Sequence, residues 1–365
     1  MKKQLSIIVF ALFSLIVSSQ VIRSVNVTTA GSLENLASTY LTTVTNLTVT
    51  GTIDARDILT MRDKMPLLAV LDMSGSSIKA ITTTAGTYGT SSRNYPINQM
   101  PEYSFYNRIT LVAKTSLSSI TLPTSLTSIG YYAFYNCPDI TSLTFSNSIT
   151  SIGNYAFYSC SGITGPLTLP TSLTSIGDYA FAFTGISGSL TLPASLSLIG
   201  FGAFGVCKGI TSLTLPASLT SIGGVAFDNC TGIKTITCLK QTPPSLNGNP
   251  FNNLTSLTDV FVPTDAAVTA YKNSDWYYIY FPGTIIKKGA PSAVADLSIS
   301  SIKVYATADG ISIEGLGVGE KVTLYTLNGM QLQTLKSEGP SMVFPSLPNA
   351  VYLVKTAEKT FKVVL

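Results

Sequence analysis

Between Thr121 and Ile236 one phrase recurs five times, and no other feature limits the possible folds as tightly. It opens as TLPTSLTSIGYYAFYNC and returns in units ending at Cys160, Thr184, Cys207 and Cys230. Its glycine stands at Gly130, Gly153, Gly177, Gly200 and Gly223, and its phenylalanine at Phe134, Phe157, Phe181, Phe204 and Phe227, so the period is 23, 24, 23 and 23 residues. A unit of that length cannot bury its own apolar face; stacked on its neighbours it can, as one coil of a solenoid. Function then belongs to the stacked surface, because near-identical coils leave no place for one dedicated catalytic pocket.

Each part of the phrase has a physical task. The L-x-x-L-x-L step (Ile140, Leu143 and Phe145 in one unit) reads as a short strand, stopped by Pro123, Pro170, Pro193 and Pro216 in the other units. The glycine after Ile is expected to supply a positive φ at the next corner. The Ala-Phe pair is expected to pack inward, so that the phenylalanines stack along the axis. Cys137, Cys160, Cys207 and Cys230 share one position of the phrase, with Thr184 in the middle unit and Cys238 outside the register. No C-x-x-C pair occurs, so a buried ladder of small apolar thiols is expected, with a disulfide between stacked neighbours as the alternative.

The coils before the regular units are irregular. Leu68, Leu71, Met73, Ile78 and Ile81 keep the spacing, and MPEYSF (Met100 to Phe105) repeats the I-G-x-x-A-F step with Pro101 in the glycine position. Thr82 to Asn98 is rich in Thr, Gly and Ser and reads as a long surface loop; six more residues are inserted after Phe105. Five regular and two or three irregular coils, at about 4.8 Å each, give an array about 35 Å long.

The flanks differ from the repeats. Lys2 and Lys3 precede an apolar run from Leu5 to Val17, which is too short to span a membrane and has the order of a cleaved secretory signal over residues 1–19. Residues 20–66 read as an N-terminal cap: Ser32 before LENLASTYL and Asp54 before ARDILTMRDKM mark two short helices around a strand at Asn46 to Thr50. Leucine-rich coils are assigned to 67–240, and a closing segment with a linker to 241–290. From 295 to 365, runs such as KVTLYTL, QLQTLK and VYLVKTA are short, alternating and separated by turns, the pattern of a small antiparallel β-sandwich.

Composition excludes several function classes. The chain has no histidine, which removes Ser-His-Asp and Cys-His nucleophilic machinery and His-ligated zinc. Only 11% of residues are charged, the net charge is +4, and no Lys/Arg cluster is present, so no nucleic-acid partner is expected. Ser and Thr must then carry the solvated faces. Carboxylates are too sparse to nominate a general acid and base, and no Gly-rich phosphate loop or metal cluster appears; no enzyme, cofactor or metal site is expected.

The phrase I-G-x-x-A-F-x-x-C with its L-P strand ending, from about Leu68 to Cys238, resembles the BspA-type leucine-rich repeat of bacterial surface proteins. TGTIDARDILTMRDKMPLLAVLDMSG resembles the N-terminal cap of such arrays, and PPSLNGNPF with FVPTDAAVTAYKNSDWYYIY resembles their closing segment. The resemblance implies a β-rich leucine-rich-repeat solenoid and a cell-surface adhesin that binds host matrix proteins or other cells. LYTLNGMQL and LPNAVYLVKTAEKTFKVVL, at the end of the chain, resemble the C-terminal sorting domain of type IX secretion substrates. That second resemblance implies passage through the type IX machinery to the outer surface of a Gram-negative bacterium, with no transmembrane segment in the mature chain.

Two residue rows are candidate ligand contacts. Thr121, Thr144, Thr168, Thr191 and Thr214 fall at one strand position and are expected to form an outward row of hydroxyls, as a ladder of like residues or as a weakly charged platform for a protein or glycan. Tyr132, Tyr155 and Tyr179 precede Ala-Phe and are joined by Tyr131, Tyr135 and Tyr158, as contact residues or as packing. The competing functional class is a non-adhesive, self-associating surface-layer scaffold built from the same array. The irregular coils between Ser74 and Ser116 break the pattern and are the better place to seek specificity.

Overall fold

The computed structural model describes residues 20–89, 91–276 and 285–289, and seven strands with a few flanking residues between 303 and 364. The signal-like segment 1–19 lies outside the described residues. The chain divides into two compact units, Met1–Gly289 and Ala290–Leu365.

The first unit is a solenoid of about eleven turns, each contributing one short parallel strand. One ladder runs Ile22–Val27, Asn46–Ile53, Val70–Asp72, Ser119–Thr121 and Ser142–Thr144. A second set continues from Thr164–Gly165 through Gly185–Thr191, Gly209–Leu215, Thr235–Cys238 and Asp259–Val262 to Ile285–Lys288. A further side of the coil carries two-residue strands from Gln99–Met100 to Ser245–Leu246. There are more coils than the repeats alone imply, because the flanking segments pair in register with them: Ile22–Val27 on Asn46–Gly51, and Asp259–Val262 on Ile285–Lys288. At about 4.8 Å per coil the stack is about 50 Å long rather than 35 Å.

At the N-terminal end, helix α1 (Leu33–Leu36) is a single turn and helix α2 (Ala55–Asp63) has just over two. Ser32 makes no side-chain cap; the buried Asp57 carboxylate serves instead, accepting from the amides of Gly31 (2.6 Å), Leu33 (2.9 Å) and Asp54 (2.9 Å). One anion thus satisfies amides at the starts of both helices. Most of Thr82 to Asn98, read from sequence as a loop, belongs to an antiparallel hairpin of Ile81–Thr83 with Arg93–Tyr95, and the insertion after Phe105 forms a second, Tyr106–Asn107 with Val112–Ala113. At the other end α3 (Asp265–Lys272) is capped by the Thr264 hydroxyl, and the buried Tyr271 and Trp276 close the core.

The core is a set of ladders. Phe105, Phe134, Phe157, Phe181, Phe204, Phe227 and Phe251 stack at centroid spacings of 5.1 to 5.8 Å, ending on Trp276 at 5.0 Å. The five cysteines are free and buried. Cys160, Cys207 and Cys230 each direct a thiol at the phenylalanine carbonyl of the preceding coil (3.0, 3.2 and 3.0 Å), and Thr184, which replaces a cysteine, bonds Phe181 O at 2.8 Å and meets the Cys207 sulfur at 3.2 Å. Hydroxyls form ladders too. Thr150, Thr174, Ser197, Thr220 and Ser245 each donate to a backbone carbonyl one coil earlier, at 2.8 to 3.2 Å. Ser172, Ser195 and Ser218 do the same at a neighbouring position, at 2.6 to 2.7 Å. Much of the Ser and Thr content is therefore committed to holding coils together.

The phrase's glycine does not have the positive φ expected of it; Gly130, Gly153, Gly177, Gly200 and Gly223 are absent from the left-handed residues. They are required by close approach. A Cβ on Gly200 would lie 2.5 Å from Asp178 N and Gly177 C, and one on Gly223 equally close to Gly200 C and Phe201 N. The left-handed residues come two places later, at Tyr132, Tyr155, Tyr179, Gly202 and Val225, and again near the end of the corner, as at Asn136 and Asn229. Hydrogen bonding gives the reason: Tyr132, Phe134 and Asn136 donate to the next coil (Asn154, Ala156 and Tyr158 carbonyls), while Ala133, Tyr135 and Cys137 donate within their own. Alternating partners in this way leaves no corner amide of this run unpaired.

In the second unit seven antiparallel strands form two sheets, of three and four strands. Ile311, Ile313 and Phe344 of one share a core with Val322, Leu324 and Val354 of the other, giving a small sandwich.

Gly200→Ala should destabilise the solenoid by about 3 kcal/mol in urea unfolding, since the methyl meets backbone. Gly165→Ala, where φ is +78° and the space is open, should lose only about 1 kcal/mol to strain. Burial raises the thiols, Cys207 to about 11 and Cys137 and Cys238 to about 12, with Cys160 and Cys230 also shifted up. The unfolded chain, with thiols near 8.5, releases these protons first, so stability is intact below about pH 8.5 and falls as pH rises, by about 1 kcal/mol per thiol between pH 8.5 and 9.5. A Cys160→Ala, Cys230→Ala variant measured under reducing conditions should be less stable at pH 7, yet should lose about 2 kcal/mol less than the parent over that interval.

Candidate functional site

The corner that follows each glycine carries the aromatic residues on one flank of the solenoid. Ten of the chain's 18 tyrosines lie between Tyr88 and Tyr179, which confines the feature to the first half of the stack. Tyr103, Tyr132, Tyr155 and Tyr179 follow one another at 5.3, 4.7 and 5.0 Å between ring centroids. Beside them Tyr106, Tyr135 and Tyr158 run at 4.7 and 5.1 Å. Tyr131 lies 4.2 Å from Tyr132, and the stripe ends on the exposed Phe183 and Phe201. Ring faces are largely taken up by neighbouring rings, so the flank shows edges and hydroxyls. Burial raises the Tyr103 phenol to about 12 and shifts Tyr132, Tyr135 and Tyr155 upward as well; these hydroxyls stay protonated at neutral pH and can both donate and accept.

Tyr132, Tyr155 and Tyr179 are half-buried, with φ of 56°, 57° and 53°. An L-residue with a large side chain in that region pays about 1 to 2 kcal/mol, and Asn or Gly is the usual occupant. The next two coils carry Gly202 and Val225 at this place, so the backbone demands the conformation while the tyrosines are an addition to it.

The irregular coils extend this flank. Arg93 lies 3.7 Å and Arg108 4.4 Å from the ring centroid of Tyr88, which meets Tyr103 edge-on at 5.6 Å. Glu102 pairs with Arg93 at 3.2 Å. The second hairpin presents Ile109, Leu111 and Val112, each exposed by 60% or more. Arg62 holds this region to α2: its guanidinium donates to Thr87 O (2.8 Å) and Tyr103 O (2.9 Å) and binds Asp63 through two nitrogens. No repeat position marks Tyr88, Arg93 or Arg108; the sequence signals them only through the interruption of the pattern between Ser74 and Ser116.

The threonine row is less uniform than expected. Thr121 pairs in register with Thr144, and Thr191 with Thr214, but Thr168 lies outside any strand and separates the two sets. Thr144, Thr168 and Thr191 are exposed and Thr121 half-buried; Thr214 is buried, at 4% exposure, and cannot be a contact residue. It sits in register between Thr191 and Thr237, whereas Thr191 pairs with a threonine on one side only. Stacking that suits the ladder therefore covers its own members.

Among the described residues no group of acidic or thiol side chains could hold a metal ion, and no helix is long and apolar enough to cross a membrane. The geometry defines a leucine-rich-repeat solenoid with an aromatic flank. The chain belongs to the family described as BspA type leucine rich repeat region, whose profile matches residues 94–189 and 188–292 in six copies. Among solved structures it is similar to the leucine rich repeat protein of T. pallidum (24% identity, 51% of this chain and 80% of that one, TM-score 0.41). A leucine rich cell surface protein from Faecalibacterium prausnitzii (15% identity, 68% and 82%, TM-score 0.25) and the pneumococcal vaccine antigen PcpA (15%, 68% and 80%, TM-score 0.25) are also similar. No curated protein sequence matches the chain.

The left-handed position yields its own prediction. Val225→Asn, which replaces a β-branched residue at φ 50°, should raise stability by about 1 kcal/mol in urea unfolding. The same change at Tyr155 should give no such gain, because it also removes ring contacts with Tyr132 and Tyr179.

Proposed function

We propose that the protein is a secreted, non-enzymatic binding protein that presents the aromatic flank and the adjoining irregular coils to a protein or glycan outside the cell. The observation that carries this reading is the concentration of tyrosines on one flank in half of the stack, where the backbone needs only Gly or Asn. Packing alone does not call for them: the later coils close the same corner with Gly202 and Val225. Tyrosine provides apolar area and a hydroxyl on a side chain with few rotatable bonds, which favours recognition. The low charge of the chain suits a neutral ligand surface better than nucleic acid.

The delivery route belongs to the same proposal. The Lys2-Lys3 start with its apolar run directs export, and the C-terminal sandwich, similar in sequence to type IX sorting domains, takes the protein through the outer membrane of a Gram-negative cell to its surface. The expected ligands are host matrix or cell-surface proteins or glycans.

The test uses residues 20–289, which form one compact unit. Size-exclusion chromatography with light scattering should show a monomer, and that monomer should bind members of an immobilised panel of matrix proteins and glycans saturably. Ordered self-assembly with no ligand on the panel would instead establish the self-associating scaffold. Removal of residues 301–365 from the full chain should leave the protein in the periplasm; finding it still at the surface would end the sorting proposal.

A further inference from the structure

We infer that the cleft between the end of α2 and the hairpin Tyr106–Ala113, with Lys114 in its lining, is a binding site for a monoanionic carboxylate. The cleft has a volume of about 510 Å³ and is lined by Arg62, Asp63, Asn107, Thr110, Val112 and Lys114, with Ala113 between the last two. That volume lies in the range of small-ligand pockets and accommodates an acidic monosaccharide or a capped acidic amino acid.

Charge decides the ligand class. Lys114 is only 6% exposed and forms no ion pair among the described residues; its ammonium bonds the Met65 carbonyl, just beyond the end of α2. An ammonium has three donors, and a buried cation without a counter-charge is costly. The carboxylate in the cleft, Asp63, acts on Lys114 without touching it, because it is held by both the Nε and Nη2 atoms of Arg62, at 2.7 and 2.9 Å, and accepts from the Asn107 amide at 3.4 Å. Two cations therefore face one committed anion, and one positive charge is left over. A single carboxylate matches that excess, whereas a phosphate dianion overshoots it. Burial lowers Lys114 to about 8, and the charge of Asp63 offsets that shift only in part. Thr110 lies in the same lining and its hydroxyl supplies a polar group for the remainder of the ligand, whereas the Asn107 side chain is engaged by the Ile109 and Thr110 amides and by Asp63. The competing account is that Lys114 serves only the negative end of α2.

The experiment uses the full chain at pH 7, with calorimetric titration and thermal unfolding. Glucuronate and N-acetyl-aspartate methylamide, each with one carboxylate, separate a sugar-borne from a peptide-borne group. Glucose and N-acetyl-asparagine methylamide are their uncharged counterparts. At least one charged probe should bind in a 1:1 ratio, raise the unfolding midpoint, and bind at least about tenfold more tightly than its uncharged partner. Lys114→Met should abolish that difference while leaving the uncharged probes unaffected. The inference is overturned if the parent does not discriminate by charge, or if Lys114→Met binds the charged probe as well as the parent. The charge comparison on the parent stands even if the variant fails to fold, and binding by the tyrosine flank is read separately, on the panel of matrix proteins and glycans.

Discussion

The approach of one coil to the next is the constraint on which the remaining features depend. At the glycine of the phrase two backbones come close enough that a single methyl would overlap the neighbour, at 2.5 Å for Gly200 and Gly223. That spacing lets Phe rings stack face to face at just over 5 Å, lets thiols reach the carbonyl of the preceding coil, and lets hydroxyls bridge coils at hydrogen-bond distance. Strand pairing sets the same repeat from the other side of the coil. Ring stack, thiol ladder, hydroxyl ladder and sheet are thus four expressions of one translation along the axis.

Function occupies what that translation leaves free. The inward positions are determined by packing, and many Ser and Thr hydroxyls are occupied between coils. Thr214 shows that even an outward strand position can be covered by its own repeat. The corner after the glycine is different. Its backbone must be left-handed, but the side chain there is not dictated by the core, and in five successive coils from Tyr103 to Gly202 four carry tyrosine. The flank then runs into the irregular coils, where Arg62 ties two hairpins to α2 and Arg93 and Arg108 lie over Tyr88. A repeating scaffold thereby acquires one non-repeating end.

Much of this fold is legible in the sequence, and the physical reason is repetition. A position that must be Phe or Cys in every coil announces an inward ladder, and alternating runs after Lys303 announce antiparallel strands. The chirality of the corner is not legible in the same way. A glycine that recurs in every unit suggests positive φ, yet here it is needed for backbone clearance, and the left-handed residue lies two places on, a tyrosine in three of the five units. The flanking segments look like caps because they lack the phrase; strand pairing needs only backbone groups, so they continue the ladder regardless. Hairpins within Thr82 to Asn98 and after Phe105 have turn-rich compositions indistinguishable from loops. The tyrosine row could be nominated from spacing, but its continuation through Tyr88, Arg93 and Arg108 depends on contacts between segments with no common period.

The central functional claim is that recognition lies on the aromatic flank and not on the strand face, and paired surface variants of residues 20–289 address it most directly. One variant carries Tyr131→Ser, Tyr135→Ser and Tyr158→Ser; the other carries Thr121→Ala, Thr144→Ala and Thr191→Ala. Both are compared with the parent for affinity toward whichever panel ligand the parent binds, after circular dichroism has shown the solenoid intact. The account predicts a loss of about tenfold or more, about 1.4 kcal/mol, for the tyrosine variant and an unchanged affinity for the threonine variant. The reverse pattern would contradict it.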